Sequence, residues 1–401
     1  MADLSRAYNI EDLRQMARAR LPKGLFEFVD RGVEDENALA QNRVALNRIA
    51  FRTRTLRDTR NRSTKTEFFG KESAFPFAVA PTGSVGVMWY GGEVAAARAA
   101  ASLGIPYTLS TASITSIEEV AEKAVGDLWF QLYAFPPLEH TENVIHRARE
   151  AGYRALIVTA DSTVDSNREY NKRNDFGIPI RLSRRNIADV MLHPRWIFTV
   201  MMRHLMAGGV PSFVNMPAPL QSDLLGRGVS PRRLLPLPIT PDVLRRMRGM
   251  WDGPFLVKGI LSPEDAILAV DCGADGVVVS NHGGRSNDHS IAAIEALPRI
   301  VDAVGHRATV FMDSGVRRGA DIVKALALGA KGVLTGRAPL WGTAVAGEPG
   351  ARHALQILGT EMSRVMGQLG YSSVGEIDHR CLVLRGDELT HVLGEATREA
   401  V

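Results

Sequence analysis

The chain contains only two cysteines, Cys272 and Cys381. Two thiols cannot build a disulfide framework or a Cys/His metal cluster, so we expect both to be buried and inert in a reducing cytosol. No uncharged apolar run reaches the roughly 18 residues that a membrane-spanning helix needs. The polar segment 1–10 also lacks the apolar core of a signal peptide. These absences predict a cytoplasmic protein that has no metal site.

Neither sign of charge dominates the composition. Lys plus Arg number 48 against 44 for Asp plus Glu, a formal net charge of +4 that indicates no particular partner. Nucleic-acid binding is unsupported, because the basic residues accompany no binding fold or aromatic platform. A Rossmann-type nicotinamide site is unsupported too, because no G-x-G-x-x-G follows the first predicted strand.

From residue 77 onward the sequence repeats a short apolar run followed by a helical segment. Near-continuous apolar strands that alternate with helices are typical of a parallel sheet covered on both faces. Eight such runs favour a closed (β/α)8 barrel, and 45% apolar residues suffice for its core. The runs are residues 77–80, 107–109, 129–132, 155–159, 255–258, 276–280, 309–313 and 332–335.

Two regions lie outside this repeat, within what we interpret as a single domain over residues 1–401. Residues 1–70 are predicted to be mostly helical, with Asn9 as the first N-cap, and to cover one end of the barrel. Residues about 170–245 form a basic insertion after the fourth strand. Its Trp, Phe and Met residues leave two interpretations open: a segment in a membrane interface, or a packed lid or oligomer contact. Its arginines are Arg181, Arg184, Arg185, Arg195, Arg203, Arg227, Arg232 and Arg233.

Polar side chains follow nearly every predicted strand, where barrel enzymes place their active sites. In the segment 280–285, His282 can exchange a proton near neutral pH, and Arg285 can bind a carboxylate through two hydrogen bonds. The pair suits proton removal from a substrate that bears an acid group. The alternative is a structural loop histidine beside a surface arginine.

A second polar cluster predicts a phosphate site. The segment 313–319 and Gly336-Arg337 follow the seventh and eighth strands, where barrels often bind phosphate through backbone N–H groups. Lys258 ends the fifth strand and must face a polar partner. Three roles stay open for it: contact with the N1–C2 edge of a flavin, a Schiff base as in a barrel aldolase, or a structural salt bridge.

Several separated motifs together resemble the FMN-dependent 2-hydroxy-acid oxidase and dehydrogenase family. The similarity runs from about Tyr8 to the last barrel helices and weakens inside the insertion. The resemblance implies an FMN cofactor and oxidation of an L-2-hydroxy acid to the 2-keto acid, with hydrogen passing to flavin N5. The motifs are Leu21-Pro22-Lys23, Ala80-Pro81-Thr82-Gly83, Phe130-Gln131-Leu132-Tyr133, Leu256-Val257-Lys258-Gly259, Ser280-Asn281-His282-Gly283-Gly284-Arg285 and Gly315-Val316-Arg317-Arg318-Gly319.

The resemblance also implies a role for individual positions. His282 would be the base and Asp161 would stabilise its protonated form. Arg285 and Arg168 would bind the substrate carboxylate, with Tyr133 beside the reacting hydroxyl. The residues expected to bind the cofactor are Ala80, Pro81, Thr82, Gly83, Ser110, Gln131, Thr159, Lys258 and Ser280 around the ring, and Asp313, Gly315, Arg317, Gly336 and Arg337 around the ribityl phosphate.

Within the family, the similarity is greatest to the mandelate dehydrogenases. Gly83 replaces the alanine of some relatives, and Ala112 stands where glycolate oxidase has tryptophan. Both changes predict an open pocket and (S)-mandelate or a related aromatic or bulky acid as substrate, with lactate as the alternative. Phe28 replaces a substrate-binding tyrosine, which leaves two expectations open: weaker substrate binding, or a substrate whose acid group is bound mainly by Arg285 and Arg168.

The same resemblance implies several properties of the whole protein. A homotetramer is expected, and either O2 or a quinone remains open as the electron acceptor. Membrane-associated members of the family carry an insertion at this position, so peripheral attachment to the cytoplasmic face of the inner membrane is also considered. Two alternatives lie outside the family: a Schiff-base lyase that acts through Lys258, and a membrane-surface binding module built on an inactive barrel. The His282/Arg285 pair argues against both.

Overall fold

The structure is a computed structural model that describes residues 2–177, 180–181, 183–227 and 236–384, and it begins with helices. Asn9 caps the first of them as predicted, since its side chain accepts a hydrogen bond from Asp12 N at 3.0 Å. The helical part is shorter than the predicted 1–70, because three short strands occupy parts of 49–73. These elements are helices α1 Ile10–Arg20, α2 Lys23–Asp30 and α3 Asn37–Arg48, and strands β1 Ile49–Phe51, β2 Thr66–Phe68 and β3 Lys71–Ser73.

Eight parallel strands then close into a barrel, with neighbours in the order β10-β11-β4-β5-β6-β7-β8-β9. The (β/α)8 fold and the positions of all eight predicted strands are confirmed. A final strand, β12 Leu382–Leu384, pairs antiparallel with β1. The barrel strands are β4 Phe77–Thr82, β5 Tyr107–Ser110, β6 Leu128–Leu132, β7 Ala155–Thr159, β8 Phe255–Ile260, β9 Gly276–Val279, β10 Thr309–Met312 and β11 Gly332–Thr335.

Helices cover the outside of the barrel and also build the insertion between β7 and β8. The barrel helix that precedes β8 starts at Pro241, so the inserted part ends before the predicted residue 245. Arg232 and Arg233 lie outside the described residues. The helices are α4 Gly92–Ser102, α5 Ile117–Lys123, α6 Leu138–Glu150, α7 Glu169–Arg173, α8 Arg184–Met191, α9 Pro194–Trp196, α10 Met202–Ala207, α11 Pro241–Arg248, α12 Pro263–Asp271, α13 Ala293–Val304, α14 Gly319–Ala327, α15 Arg337–Ala346 and α16 Glu348–Leu369.

Alternate residues of each strand fill the barrel interior. Trp129 and Phe311 form an inner cluster with Phe68, whose ring lies 6.1 Å and 5.1 Å from theirs, so the β2–β3 hairpin closes the amino-terminal end. Because side chains alternate with a period of two, the residue two positions beyond each inward one also points inward, at the carboxyl end. These residues are Gln131, Thr159, Lys258, Ser280 and Asp313, after Trp129, Ile157, Leu256, Val278 and Phe311.

Candidate active site

A cavity of about 540 Å³ opens at the carboxyl end of the barrel. Two of the predicted site residues, Asp161 and Ser280, do not line it but support residues that do. The predicted residues on its wall are Phe28, Ala80, Pro81, Thr82, Gly83, Ser110, Gln131, Tyr133, Thr159, Arg168, Lys258, His282, Arg285, Asp313, Gly315, Arg317, Gly336 and Arg337.

His282 and Asp161 form a pair at the edge of this cavity. Nδ1 of His282 lies 3.0 Å from Oδ1 of Asp161. The His282 backbone is left-handed, with φ of 57°, and its N–H donates to Ser280 Oγ at 3.0 Å. Gly259 makes room for the carboxylate, because a Cβ there would lie 2.5 Å from Asp161 Cγ. The loop backbone therefore fixes the imidazole against the acid.

The charge of Asp161 is set by this pairing. Burial disfavours the carboxylate, but the proximity of His282 and the hydrogen bond to it outweigh burial and lower the pKa of Asp161 to about 2. Asp161 is therefore ionised at neutral pH. Because Asp161 engages Nδ1 of His282, Nε2 is the nitrogen that can exchange a proton with a substrate.

Lys258 is a buried cation in this site. Its Nζ donates to Ser280 Oγ at 2.8 Å and lies 3.1 Å from Asp313 Oδ2. Burial opposes the charge, but Asp313 and Asp161 outweigh it, and the pKa of Lys258 is raised. A Schiff base requires a neutral amine, so this environment argues against the lyase alternative and suits a role in stabilising an anion.

A chain of side-chain hydrogen bonds runs across the ends of β5, β6 and β7. Ser110 Oγ donates to Gln131 Oε1 at 2.8 Å, and Gln131 Nε2 donates to Thr159 Oγ1 at 3.0 Å. Thr111 Oγ1 donates to Gln131 O at 2.7 Å and accepts from Tyr133 N at 3.1 Å. Burial raises the pKa of Tyr133, so its phenol stays protonated and can donate a hydrogen bond.

Two half-buried arginines lie at the opposite side of the cavity, after β10 and β11. Arg337 donates to Val29 O at 2.8 Å and to Gly283 O at 3.0 Å, while Arg317 donates to Val316 O at 2.8 Å. In the described part of the chain neither forms an ion pair with a carboxylate. Burial lowers the pKa of both, and a bound anion would offset this cost.

The cavity wall also carries polar atoms that the described residues leave without a hydrogen-bond partner. These atoms are Arg168 Nε and Thr335 Oγ1. Buried polar groups are nearly always hydrogen-bonded, so unpaired ones in a cavity indicate a ligand. The donors around the cavity therefore fit FMN. The ammonium of Lys258 and the amide of Gln131 would contact the ring, and Arg317 and Arg337, beside the turn at Gly315, would bind the phosphate.

The residues of α3 that support this site were not predicted from the sequence. Asn42 and Asn281 are buried and exchange two hydrogen bonds of 2.9 Å each, which fixes the backbone next to His282. The sequence does contain an indication of this role, because Asn42 falls on the buried face of α3 with Ala38, Ala45 and Leu46. A polar residue in an apolar stripe predicts a buried partner.

The barrel, the His282–Asp161 pair and the phosphate-type cluster define the class of protein. The chain belongs to the FMN-dependent dehydrogenase family, whose model matches residues 17–384. Its cofactor is FMN, and the protein is a 2-hydroxy-acid oxidoreductase.

The chain is similar over nearly its whole length to individual members of the family. The chain is 39% identical to (S)-mandelate dehydrogenase of Pseudomonas putida, over 97% of this chain and 98% of the relative. It is also 39% identical to L-lactate dehydrogenase of Caulobacter sp., over 92% and 97%. A crystal structure of the monotopic membrane protein (S)-mandelate dehydrogenase superimposes with a TM-score of 0.89 at 38% identity, over 94% and 99%. Equal identity to both enzymes leaves the substrate open.

Proposed function

We propose that the protein oxidises (S)-mandelate, or a related aromatic or bulky L-2-hydroxy acid, to the 2-keto acid. The contact between Gly83 and Ala112 carries this proposal. A Cβ at Gly83 would lie 3.0 Å from Ala112 Cβ, and both residues line the cavity. No side chain larger than a methyl group arises from either position, which leaves room for a ring.

The side chains divide the work of the reaction. Arg285 and Arg168 bind the substrate carboxylate, and the phenol of Tyr133 donates a hydrogen bond to the substrate's oxygen. His282 accepts a proton, and the ionised Asp161 stabilises the resulting imidazolium. FMN, held by the arginine cluster and by Lys258, Gln131 and Thr159, supplies the two-electron acceptor. Lys258 stays cationic and offsets negative charge in the site.

An absorbance titration under anaerobic conditions tests this proposal. We expect (S)-mandelate to bleach the flavin band of the purified protein at lower concentration than lactate or glycolate does. Bleaching by lactate or glycolate alone would keep the reaction class and favour the L-lactate alternative. A protein that binds no FMN, even after reconstitution, would contradict the central proposal.

Ala112→Trp tests the pocket interpretation directly. The indole would fill the space beside Gly83, so kcat/KM for mandelate should fall about a hundredfold relative to that for glycolate. FMN binding and turnover of glycolate serve as internal controls. An unchanged ratio of the two kcat/KM values would show that the aromatic ring binds elsewhere.

We also propose that the insertion attaches the protein to a membrane surface and that a quinone is the electron acceptor. Around α8, α9 and α10, exposed apolar side chains stand among exposed arginines such as Arg185, Arg195 and Arg203. This combination is typical of a segment that lies in a lipid interface. No helix in the described ranges is long and apolar enough to cross a bilayer. The exposed apolar residues are Ile187, Met191, Leu192, Phe198, Leu205 and Met206.

Vesicle co-sedimentation tests the membrane proposal. The double variant Leu192→Ser/Phe198→Ser removes side chains that are 79% and 69% exposed, and it should release the protein from phosphatidylglycerol vesicles. The control Leu56→Ser/Val125→Ser removes side chains outside the insertion that are 98% and 90% exposed, and it should bind like wild type. Equal binding by both double variants would refute the proposal. The membrane face and the homotetramer stay predictions.

A further inference from the structure

We propose that the carboxyl end of α2, anchored by the buried side chain of Asp30, positions Arg285 and Arg337 together. This inference rests on the proposed function, in which Arg285 binds the substrate carboxylate and Arg337 binds the cofactor phosphate. Asp30 is then a positioning residue that links the two anion-binding sites.

The main-chain carbonyls at the end of α2 are the acceptors for both arginines. The last carbonyls of a helix lack partners within the helix. Here Phe28 O accepts from Arg285 Nη2 at 2.8 Å, and Val29 O accepts from Arg337 Nε at 2.8 Å. The negative end of the helix dipole also favours cations at this place. One helix end therefore binds two active-site guanidinium groups.

The residue after the helix strengthens the link between them. Arg31 O accepts from Arg285 Nη1 at 2.7 Å and from Arg337 Nη2 at 3.3 Å. A single carbonyl thus lies between the two guanidinium groups. Any displacement of this turn shifts both arginines at once.

Asp30 holds the turn in place. Its side chain is 5% exposed and accepts from Arg14 Nε at 2.6 Å and from Arg14 Nη2 at 2.7 Å. This two-bond ion pair ties the end of α2 to α1. Because Asp30 lies in the chain between Val29 and Arg31, fixing it fixes the carbonyls on either side.

The negative charge of Asp30 also favours the charged form of the arginines in this site. Burial lowers the pKa of Arg285, Arg317 and Arg337, and Asp30 is among the groups that oppose this effect in all three. None of the three forms an ion pair with a carboxylate in the described ranges. Asp30 therefore places a negative charge near the three arginines without forming an ion pair with any of them. It takes up none of the N–H groups that a ligand anion needs.

The test compares Asp30→Asn with wild type in two binding measurements. One is the dissociation constant of FMN from the apoprotein; the other is that of phenylacetate, an unreactive carboxylate, followed through the flavin spectrum of the holoenzyme. We expect both constants to rise about tenfold or more, since hydrogen bonds to charged groups are stronger than those between neutral groups. kcat at saturating substrate should change less, because His282 and Asp161 do not contact Asp30.

Asp127→Asn is the matched control. Asp127 accepts from Arg154 Nε at 2.8 Å and from Arg154 Nη2 at 2.7 Å, an ion pair of the same geometry at the amino-terminal end of the barrel. We expect it to lower thermal stability and to leave both dissociation constants unchanged. Arg14→Gln, which breaks the Asp30 pair from the other side, should raise both constants by a smaller factor and serves if Asp30→Asn does not fold.

The outcomes are distinguishable. Parallel rises in both constants for the Asp30 and Arg14 variants support the proposal. A rise in only one constant, or rises matched by Asp127→Asn, would overturn it. If wild type itself binds neither FMN nor phenylacetate, the proposed function fails, and this inference fails with it.

Discussion

The two regions outside the barrel attach to it in different ways. The N-terminal helices contact the catalytic loop through buried polar groups. Asp288, for example, accepts from Asp35 N and Ala38 N at 3.1 Å each, and from Asn37 Nδ2 at 3.0 Å. Together with the end of α2, these bonds make the N-terminal helices part of the active-site wall.

The insertion contacts other parts of the barrel, although its residues Asn171, Lys172, Gly177, Met216 and Pro236 also line the cavity. Trp196 Nε1 donates to Val87 O at 2.9 Å, and His204 Nε2 lies 2.9 Å from Gly86 O. Asn215 accepts from Ile117 N at 2.9 Å and donates to Thr115 O at 2.8 Å. Both regions therefore form buried polar bonds with the barrel, but those of the N-terminal helices reach the catalytic loop, and the insertion also carries a group of exposed apolar residues around α8, α9 and α10.

The largest expected effect concerns neither of these regions but Asp161, which follows strand β7 of the barrel. Asp161→Asn should lower kcat by about 10²–10⁴-fold, the usual range for a group that supports acid–base catalysis. The cause is loss of the charge that stabilises protonated His282. Steady-state kinetics with a saturating hydroxy acid measure the effect, and an intact flavin spectrum shows that the variant is folded. A fall below threefold would contradict the assigned pairing.

The same residue predicts a dependence of stability on pH. The pKa of Asp161 lies at about 2 in the folded protein, below its ordinary value of 3.8, so folding favours the ionised form. Its contribution, on the order of 2 kcal/mol, is present above pH 4 and is lost as the pH falls from about 4 to 2. Urea unfolding should show the difference between wild type and Asp161→Asn shrinking in that window. A difference that is constant down to pH 2 would contradict the lowered pKa.

Two buried asparagines test the comparison between the regions directly. Asn42→Ala removes two of the hydrogen bonds of the Asn281 side chain, so we expect kcat to fall about 10–100-fold and stability by roughly 1–3 kcal/mol. Asn215→Ala removes a similar pair of bonds in the insertion. It should cost similar stability while kcat stays within about threefold.

Kinetics and thermal unfolding of both asparagine variants decide the matter. Equal losses of kcat would show that the insertion positions catalytic groups as the N-terminal helices do. A normal kcat in Asn42→Ala would show that the His282 loop keeps its conformation without the amide pair.

The barrel and most of the site could be predicted from the sequence because they follow local rules. The apolar runs have strand length, and the period of two places Gln131 and Lys258 at one end of the barrel. The tertiary partners could not be predicted in this way. Nothing local indicates that carbonyls of α2 bind Arg285, since main-chain acceptors carry no sequence signature. The ion pair of Asp30 with Arg14 likewise depends on how two helices pack.

The region 49–73 shows the same limit. Residues 49–51 and 66–68 are strands within the region 1–70 that was predicted to be mostly helical, and β1 is completed by β12, more than 300 residues later in the chain. Phe68 also enters the barrel from a hairpin too short for an alternating pattern. Pairing over such a distance is decided by the closed fold, and periodicity within a short window cannot show it.

The smallest effect concerns Phe28, where the N-terminal helices meet the insertion. The Phe28 ring lies 6.1 Å from the ring of Phe176 and 5.8 Å from the guanidinium carbon of Arg285. Phe28→Tyr would add a donor beside the proposed carboxylate site, so KM for the hydroxy acid should fall about tenfold, with kcat little changed. Phe198→Tyr, the same change at an exposed position of the insertion, is the control and should leave KM unaltered. A KM that rises or stays constant in Phe28→Tyr would mean that Arg285 and Arg168 already satisfy the carboxylate, and that the N-terminal helices contribute main-chain acceptors only.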